Sequence, residues 1–273
     1  LSDKGEEQPM QHIKIVKNQG IALVTIGTPE LIYLTAQTGD ELDAVTREIE
    51  ADQSVRAVVF TGGSPGVFIQ HYSVQELVSI AEQLRASGAK FDERGEPQSF
   101  SLDKACGRVE TMPKPAIAAI NGNCMGGGLE FALCCDIRIV EDGPYQLGLP
   151  EVTVGILPGG GGTQRLPRVV GTARALEFML LGRRLTPREA AAFGLVNELA
   201  QGKALERAME VAGQLASQSP RAMAHIKRLA RSAMQTPLAE GLRLERNLFM
   251  DLMTTDWAID AMKAYVRSLE EQK

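Results

Sequence analysis

Along the first two hundred positions, short runs of β-branched and aliphatic residues alternate with segments whose apolar residues recur at helical spacing. The runs IALVTIG (21–27), VRAVVFTG (55–62), AIAAING (116–122) and DIRIV (136–140) read as strands. Several intervening segments open on a hydroxyl residue followed three positions later by an acid: Thr38 with Glu41, Ser73 with Glu76, and Thr186 with Glu189, the last with Pro187 at the first helical position. That spacing lets hydroxyl and carboxylate each satisfy an amide that has no acceptor inside the helix, so it marks helix starts. Strands and helices in alternation predict an α/β fold.

The alternation stops near Lys203. Beyond it no β-run occurs, and amphipathic stretches are broken at Ser219-Pro220, at Thr236-Pro237 and at Thr254 to Asp256, which predicts a helical appendage. A unit so small and apolar is expected to pack on the first domain and on other subunits. SGAKFDERGEPQS (87–99) is polar and aperiodic, a loop of the kind that borders active sites. The opening LSDKGEEQPM is expected to fray, and no internal repeat is present.

Composition narrows the function classes. With 273 residues, 44% of them hydrophobic, the chain can build a large core. A formal net charge of −5 and 5% aromatic residues argue against a nucleic-acid surface. Cys106, Cys124, Cys134 and Cys135 with His12, His71 and His225 show no zinc spacing, so no metal site is expected. Reduced, buried thiols in a cytoplasmic protein are the expectation. No apolar run reaches the ~20 residues that span a bilayer, and acids stand where a signal peptide has basic and apolar regions, so no membrane association is expected.

Chemistry concentrates in NGNCMGGGLEFALCCD (121–136). Gly126, Gly127 and Gly128 lie between a strand and a helix, where they expose the first amides of that helix at the positive end of its dipole. Such amides hold anions or developing oxyanions, although a close-packed turn without a ligand has the same sequence. Glu130 follows among Leu129, Phe131, Ala132 and Leu133, where a carboxylate is costly without a task or a partner. LGLPEVTVGILPGGGGTQRLPRVVG (147–171) repeats the arrangement with Glu151 and the run Gly159 to Gly162 ahead of another helix start. Two acids in apolar surroundings beside amide-rich turns suit acid/base chemistry, and each could equally be a helix cap or an ion-pair partner of Arg165 or Arg168.

These stretches, with GRRLTPREAAAFGLVNEL (182–199) and more weakly VRAVVFTGGSPGVF (55–68), resemble the crotonase superfamily, the enoyl-CoA hydratase/isomerase family. The resemblance runs from about residue 13 to the C-terminus. It implies a spiral of repeated β-β-α units over 13–202 and a helical trimerisation domain over 203–273, with 1–12 as a flexible arm. Trimers, or dimers of trimers, would be the assembly. It also implies an acyl-CoA substrate, with no cofactor beyond the CoA the substrate carries. The amides of Gly127 and Tyr72 would grip the thioester carbonyl. Glu130 and Glu151 would hold the water that adds across the α,β double bond, and relatives that only move a double bond typically keep one or neither acid. Phe68, His71, Gly126, Leu157 and Gly159 are the candidate substrate contacts.

Two segments depart from the family pattern. In FIQHYS (68–73), His71 stands where relatives have glycine and Tyr72 where they have alanine. Tyr72 would narrow the space at the thioester, and His71 is either an added acid or base or a packed substitution. Glu30 and Gln75 occupy positions that are often basic and meet the CoA phosphates, leaving Lys227, Lys263 or Arg267 as substitutes. The leading expectation is therefore an enoyl-CoA hydratase. The alternatives are a hydrolase cleaving a carbon–carbon bond of a β-diketone, an isomerase, or a non-catalytic relative.

Overall fold

The structure, a computed structural model, describes residues 10–95 and 99–271. The chain opens with β1 (Ile13–Asn18), β2 (Ile21–Ile26) and α1 (Ala36–Ala51), then β3 (Ala57–Gly62), β4 (Gly66–Ile69), α2 (Val74–Ala86) and α3 (Ser101–Thr111). Next come β5 (Ala116–Ile120), β6 (Gly122–Met125) and α4 (Gly127–Cys134), followed by β7 (Ile137–Glu141), β8 (Leu147–Gly148), a 3-10 turn at Glu151–Val154, α5 (Gly162–Val170) and α6 (Thr172–Leu180). β9 (Arg184–Leu185), α7 (Pro187–Phe193) and β10 (Glu198–Ala200) close the sheets. Four helices end the chain: α8 (Ala204–Ala216), α9 (Pro220–Ser232), α10 (Leu238–Met253) and α11 (Asp256–Glu270).

Two sheets alternate along the sequence. One has the order β1-β2-β3-β5-β7-β10 and is parallel except for the β1/β2 hairpin; the other has the order β4-β6-β8-β9. Each of the pairs β3/β4, β5/β6 and β7/β8 contributes one strand to each sheet before the chain returns through helix, so the β-β-α unit repeats as a spiral. The four strand runs legible in the sequence all belong to the larger sheet. β4, β6, β8, β9 and β10 are two to four residues long, too short to show a period, and pairing with distant neighbours defines them.

The larger sheet is buried on both faces. Val58, Phe60, Ala116, Ala118 and Ile120 face one core, shared with α1, α3 and α4; Ala57, Val59, Ile117 and Ala119 face another, built with Ala204, Ala208 and Ala212 of α8. Alanine at every fourth position gives α8 a smooth stripe that lies close on the strands. Beyond α8, helices α9, α10 and α11 bury no residue completely, and Leu242, Phe249, Met250, Trp257, Tyr265 and Val266 are exposed on them.

Helix starts follow the local chemistry with one correction. Ser73 caps α2, and Thr186 with Glu189 forms the full box at α7. For α1 the cap is Thr35, whose partner is Thr38; Glu41 instead accepts from the Gln11 and His12 amides at 3.1 and 2.9 Å. Two hydroxyls can exchange these bonds as well as a hydroxyl and an acid, so the acid three positions on was a misleading marker here. Of the expected N-terminal arm, residues 1–9 lie outside the described residues, as do 96–98 of the expected loop.

Candidate active site

Gly126 joins β6 to α4 with φ +50° and ψ −128°, a backbone conformation that residues with side chains rarely adopt. A Cβ there would lie 3.1 Å from Glu151 Oε1 and 3.3 Å from His71 Cβ. This turn therefore requires glycine and brings the β4 loop and the 3-10 turn to its edge. Gly127 opens α4, ahead of the first intrahelical bond, from Glu130 N–H to the Gly126 carbonyl. Its amide sits at the positive end of the helix.

Tyr72 reaches the same place from β4. Leu34 donates to the His71 carbonyl at 2.9 Å and accepts from the Ser73 amide at 2.7 Å, as in a parallel ladder. Successive amides of an extended segment point to opposite sides, so the Tyr72 N–H is turned away from Leu34. A Cβ on Gly127 would be 3.5 Å from the Tyr72 nitrogen. The Tyr72 hydroxyl donates to Glu76 at 2.9 Å and is pushed up to about 12, by burial first and then by Glu76. It is thus committed to Glu76, whose same oxygen accepts the Ala36 amide.

Glu130 is 4% exposed, and its Oε1 accepts the Gly162 amide at 2.7 Å. Burial pushes its carboxyl up, opposed by the Gly162 and Gly160 amides and by the charge of Arg165. A Cβ at Gly160 would stand 2.7 Å from Glu130 Oε2, so the glycine run lets this carboxylate lie against backbone. Glu151, at the start of the 3-10 turn, is pushed up to about 7 by burial, and the nearby Glu130 charge adds to the rise. Its Oε2 is buried without a hydrogen-bond partner among the described residues. Among the described residues neither acid pairs with an arginine: Arg165 binds Glu110, and Arg168 bonds the Gln164 carbonyl.

A stability effect follows from Glu151. An acid whose folded pKa lies above its ordinary value of 4.5 binds more protons folded than unfolded between 4.5 and about 7, so wild-type stability falls as pH rises through that window. Glu151→Gln, which cannot ionise, is expected to melt above the wild type at pH 8 and to lose that advantage below pH 4.5. Thermal unfolding across pH checks this.

His71 lies beside this centre. Its Nδ1 is 2.6 Å from the Tyr72 carbonyl, which can only accept, so Nδ1 carries a proton. The ring rests on Tyr33 at 4.7 Å. Phe68, only 1% exposed, belongs to the main core and fixes β4 from beneath, whereas Leu157, between Glu151 and the glycine loop, is 65% exposed and Gly159, the first residue of that loop, borders open space. Lys227 is not free to meet phosphates, because its ammonium donates to the Val109 and Lys114 carbonyls and pairs with Asp136. Cys124 is wholly buried, and all four cysteines are unbridged. No three His, Cys, Asp or Glu among the described residues are grouped as a metal site, and no described helix is long and apolar enough to cross a membrane.

Nothing in the sequence pointed to Glu110, and although it marked Gly159 to Gly162 as an amide-rich turn, it did not show that the Gly160 and Gly162 amides meet Glu130. Glu110 carries no motif and stands 55 positions from the arginine it binds, so only folding reveals it.

Known proteins share both the sequence and the shape. The chain is 34% identical over 259 residues to the short-chain-enoyl-CoA hydratase of Clostridium acetobutylicum, covering 94% of this chain and 95% of that one. It is 34% identical over 241 residues to the fatty acid oxidation complex subunit alpha of Shewanella baltica, covering 87% of this chain and 32% of the longer relative. The crystal structure of an enoyl-CoA hydratase from Bacillus anthracis superposes with a TM-score of 0.84 at 30% identity, over 94% of this chain and 97% of the other. The model for enoyl-CoA hydratase/isomerase matches residues 16–272, and with it the crotonase-type spiral seen here has its explanation: the chain belongs to the enoyl-CoA hydratase/isomerase family of enzymes.

Proposed function

We propose that this enzyme adds water across the α,β double bond of a trans-2-enoyl-CoA thioester. The observation that carries the reading is the pair of acids, buried Glu130 and half-buried Glu151, close enough for one charge to raise the other, beside the neighbouring amides of Gly127 and Tyr72. The named activity of the Clostridium relative supports it.

The environments of the two acids divide the work. Burial raises Glu130, and the Gly162 amide that it accepts, the Gly160 amide and the Arg165 charge oppose that rise, so Glu130 is assigned the proton of the water attacking Cβ. Glu151, with a pKa of about 7 and an unpartnered Oε2, supplies a proton to Cα. The Gly127 and Tyr72 amides stabilise the negative charge that collects on the thioester oxygen. Water is split between Cβ and Cα with no oxidant and no cofactor beyond the substrate's own CoA, and the two carboxyls exchange one proton to reset. The exposed apolar side chains of α10 and α11 support assembly of the chain as a homotrimer or a dimer of trimers.

The test is turnover of trans-2-enoyl-CoA esters of graded chain length, followed by loss of the conjugated thioester absorbance, with binding of free CoA measured at two ionic strengths. Hydration, with CoA binding that weakens as salt rises, is the expected result. Absence of both would overturn the reading in favour of a substrate without CoA.

A further inference from the structure

The glycine loop that grips Glu130 is itself held from behind. Arg165, on α5, donates through Nε and Nη2 to Glu110 Oε1 and Oε2 at 2.9 and 2.8 Å, and through Nη1 to the Gly160 carbonyl at 2.7 Å. A two-point pair of this kind fixes the guanidinium plane as well as its position. Gly161 has φ +101°, and a Cβ there would overlap Arg165 Nη1, so the guanidinium lies close against the loop backbone. Two residues beyond the anchored carbonyl, the Gly162 amide meets Glu130. Glu110 is braced in turn by Arg231 of α9, which also donates to the Cys134 carbonyl at the end of α4 at 2.7 Å and to Asp136 at 2.9 Å. No hydrogen bond or ion pair joins Arg165 or Glu110 to Glu130.

We infer that Arg165, held by Glu110, is a positioning residue for Glu130, fixing the glycine loop whose amides orient that carboxylate. The inference rests on the proposed role of Glu130 as the base. The charged groups facing Glu130 are Glu151 from the 3-10 turn, Asp103 from α3 and Arg165 from α5; the first two oppose its ionisation and the third favours it. The titratable groups facing Arg165 are the Glu110 carboxylate and the thiols of Cys106 and Cys134.

The variants Arg165→Met, Arg165→Lys and Glu110→Gln separate geometry from charge, with Arg168→Gln, an exposed change on the same helix, as the control. Loss of the anchor in Arg165→Met lowers kcat about 10²-fold with KM little changed, the scale of a misplaced catalytic group. It also moves the acid limb of kcat/KM to higher pH, because a drifting loop and a missing cation both disfavour ionised Glu130. Arg165→Lys keeps the charge but cannot bridge Glu110 and Gly160 together, so it recovers most of the limb position and only part of kcat. Glu110→Gln loosens the arginine and falls between. A titration of Glu130 by carbon-13 NMR, in protein labelled at glutamate, reads the same shift without turnover.

Wild-type kcat and an unmoved Glu130 titration in folded Arg165→Met would overturn the inference. If that variant does not fold, the same two results in Arg165→Lys and Glu110→Gln together overturn it. A wild type that does not hydrate enoyl-CoA esters overturns the functional reading instead, and the NMR titration still decides whether Arg165 governs Glu130.

Discussion

In Glu151→Gln and in Glu130→Gln, hydration of a trans-2-enoyl-CoA is expected to fall by about 10²–10⁴-fold in kcat, the usual worth of one general acid or base. Thioester affinity should stay close to wild type, because the amide fills the same volume and the Gly162 N–H still finds an oxygen acceptor at position 130. The two variants should differ in their pH dependence. In the proposed mechanism Glu151 is protonated when it serves Cα, and its pKa, pushed up to about 7, means that this form is lost as pH rises through 7. Wild-type kcat should therefore decline on the alkaline side, and Glu151→Gln should lack that limb in its residual rate. Initial rates from pH 5 to 9, with binding of a non-hydratable acyl-CoA by calorimetry, are the measurements. Undiminished turnover in either variant removes that residue from the mechanism.

Gly127→Pro should be nearly as damaging while leaving the fold intact. Proline is well tolerated at the first position of a helix, where its missing N–H costs no intrahelical bond. A Cβ on Gly127 would meet Tyr72 Cβ at 3.4 Å and Leu34 Cδ1 at 3.5 Å, ordinary contacts. What the variant loses is one of the two amides that the proposed mechanism directs at the thioester oxygen, and removal of such a donor costs about 10²–10³ in kcat. The ring Cδ also occupies the direction of the lost N–H, so substrate affinity should weaken as well. Steady-state hydration and thermal melting together check this. A wild-type rate would show that Tyr72 alone, or another donor, carries the charge.

Much of this was legible in the residues. Strands such as VRAVVFTG and AIAAING declare themselves because a strand covered on both faces must be apolar throughout. Ser73 and Thr186 mark helix starts because a hydroxyl at that point satisfies an amide in any fold. Gly126 and Glu130 stood out because their local chemistry is costly without a reason: a backbone turned to positive φ, and an acid among leucine and phenylalanine. Each of these signals is local, a matter of one residue against its immediate neighbours in the chain.

Tertiary structure decided what distance along the chain conceals. It chose Thr35 over Thr38 as the cap of α1, committed the Tyr72 hydroxyl to Glu76, and took Lys227 away from any phosphate by burying it on Asp136. It paired Arg165 with Glu110 rather than with Glu130 or Glu151, and set the amides of Gly160 and Gly162 against Glu130. The sequence by itself determined which residues could bear the chemistry, since the cost of an exposed amide or a buried acid is intrinsic. Only the packed chain determined their partners and so their protonation, since desolvation and Coulomb interaction depend on what else arrives within a few ångströms.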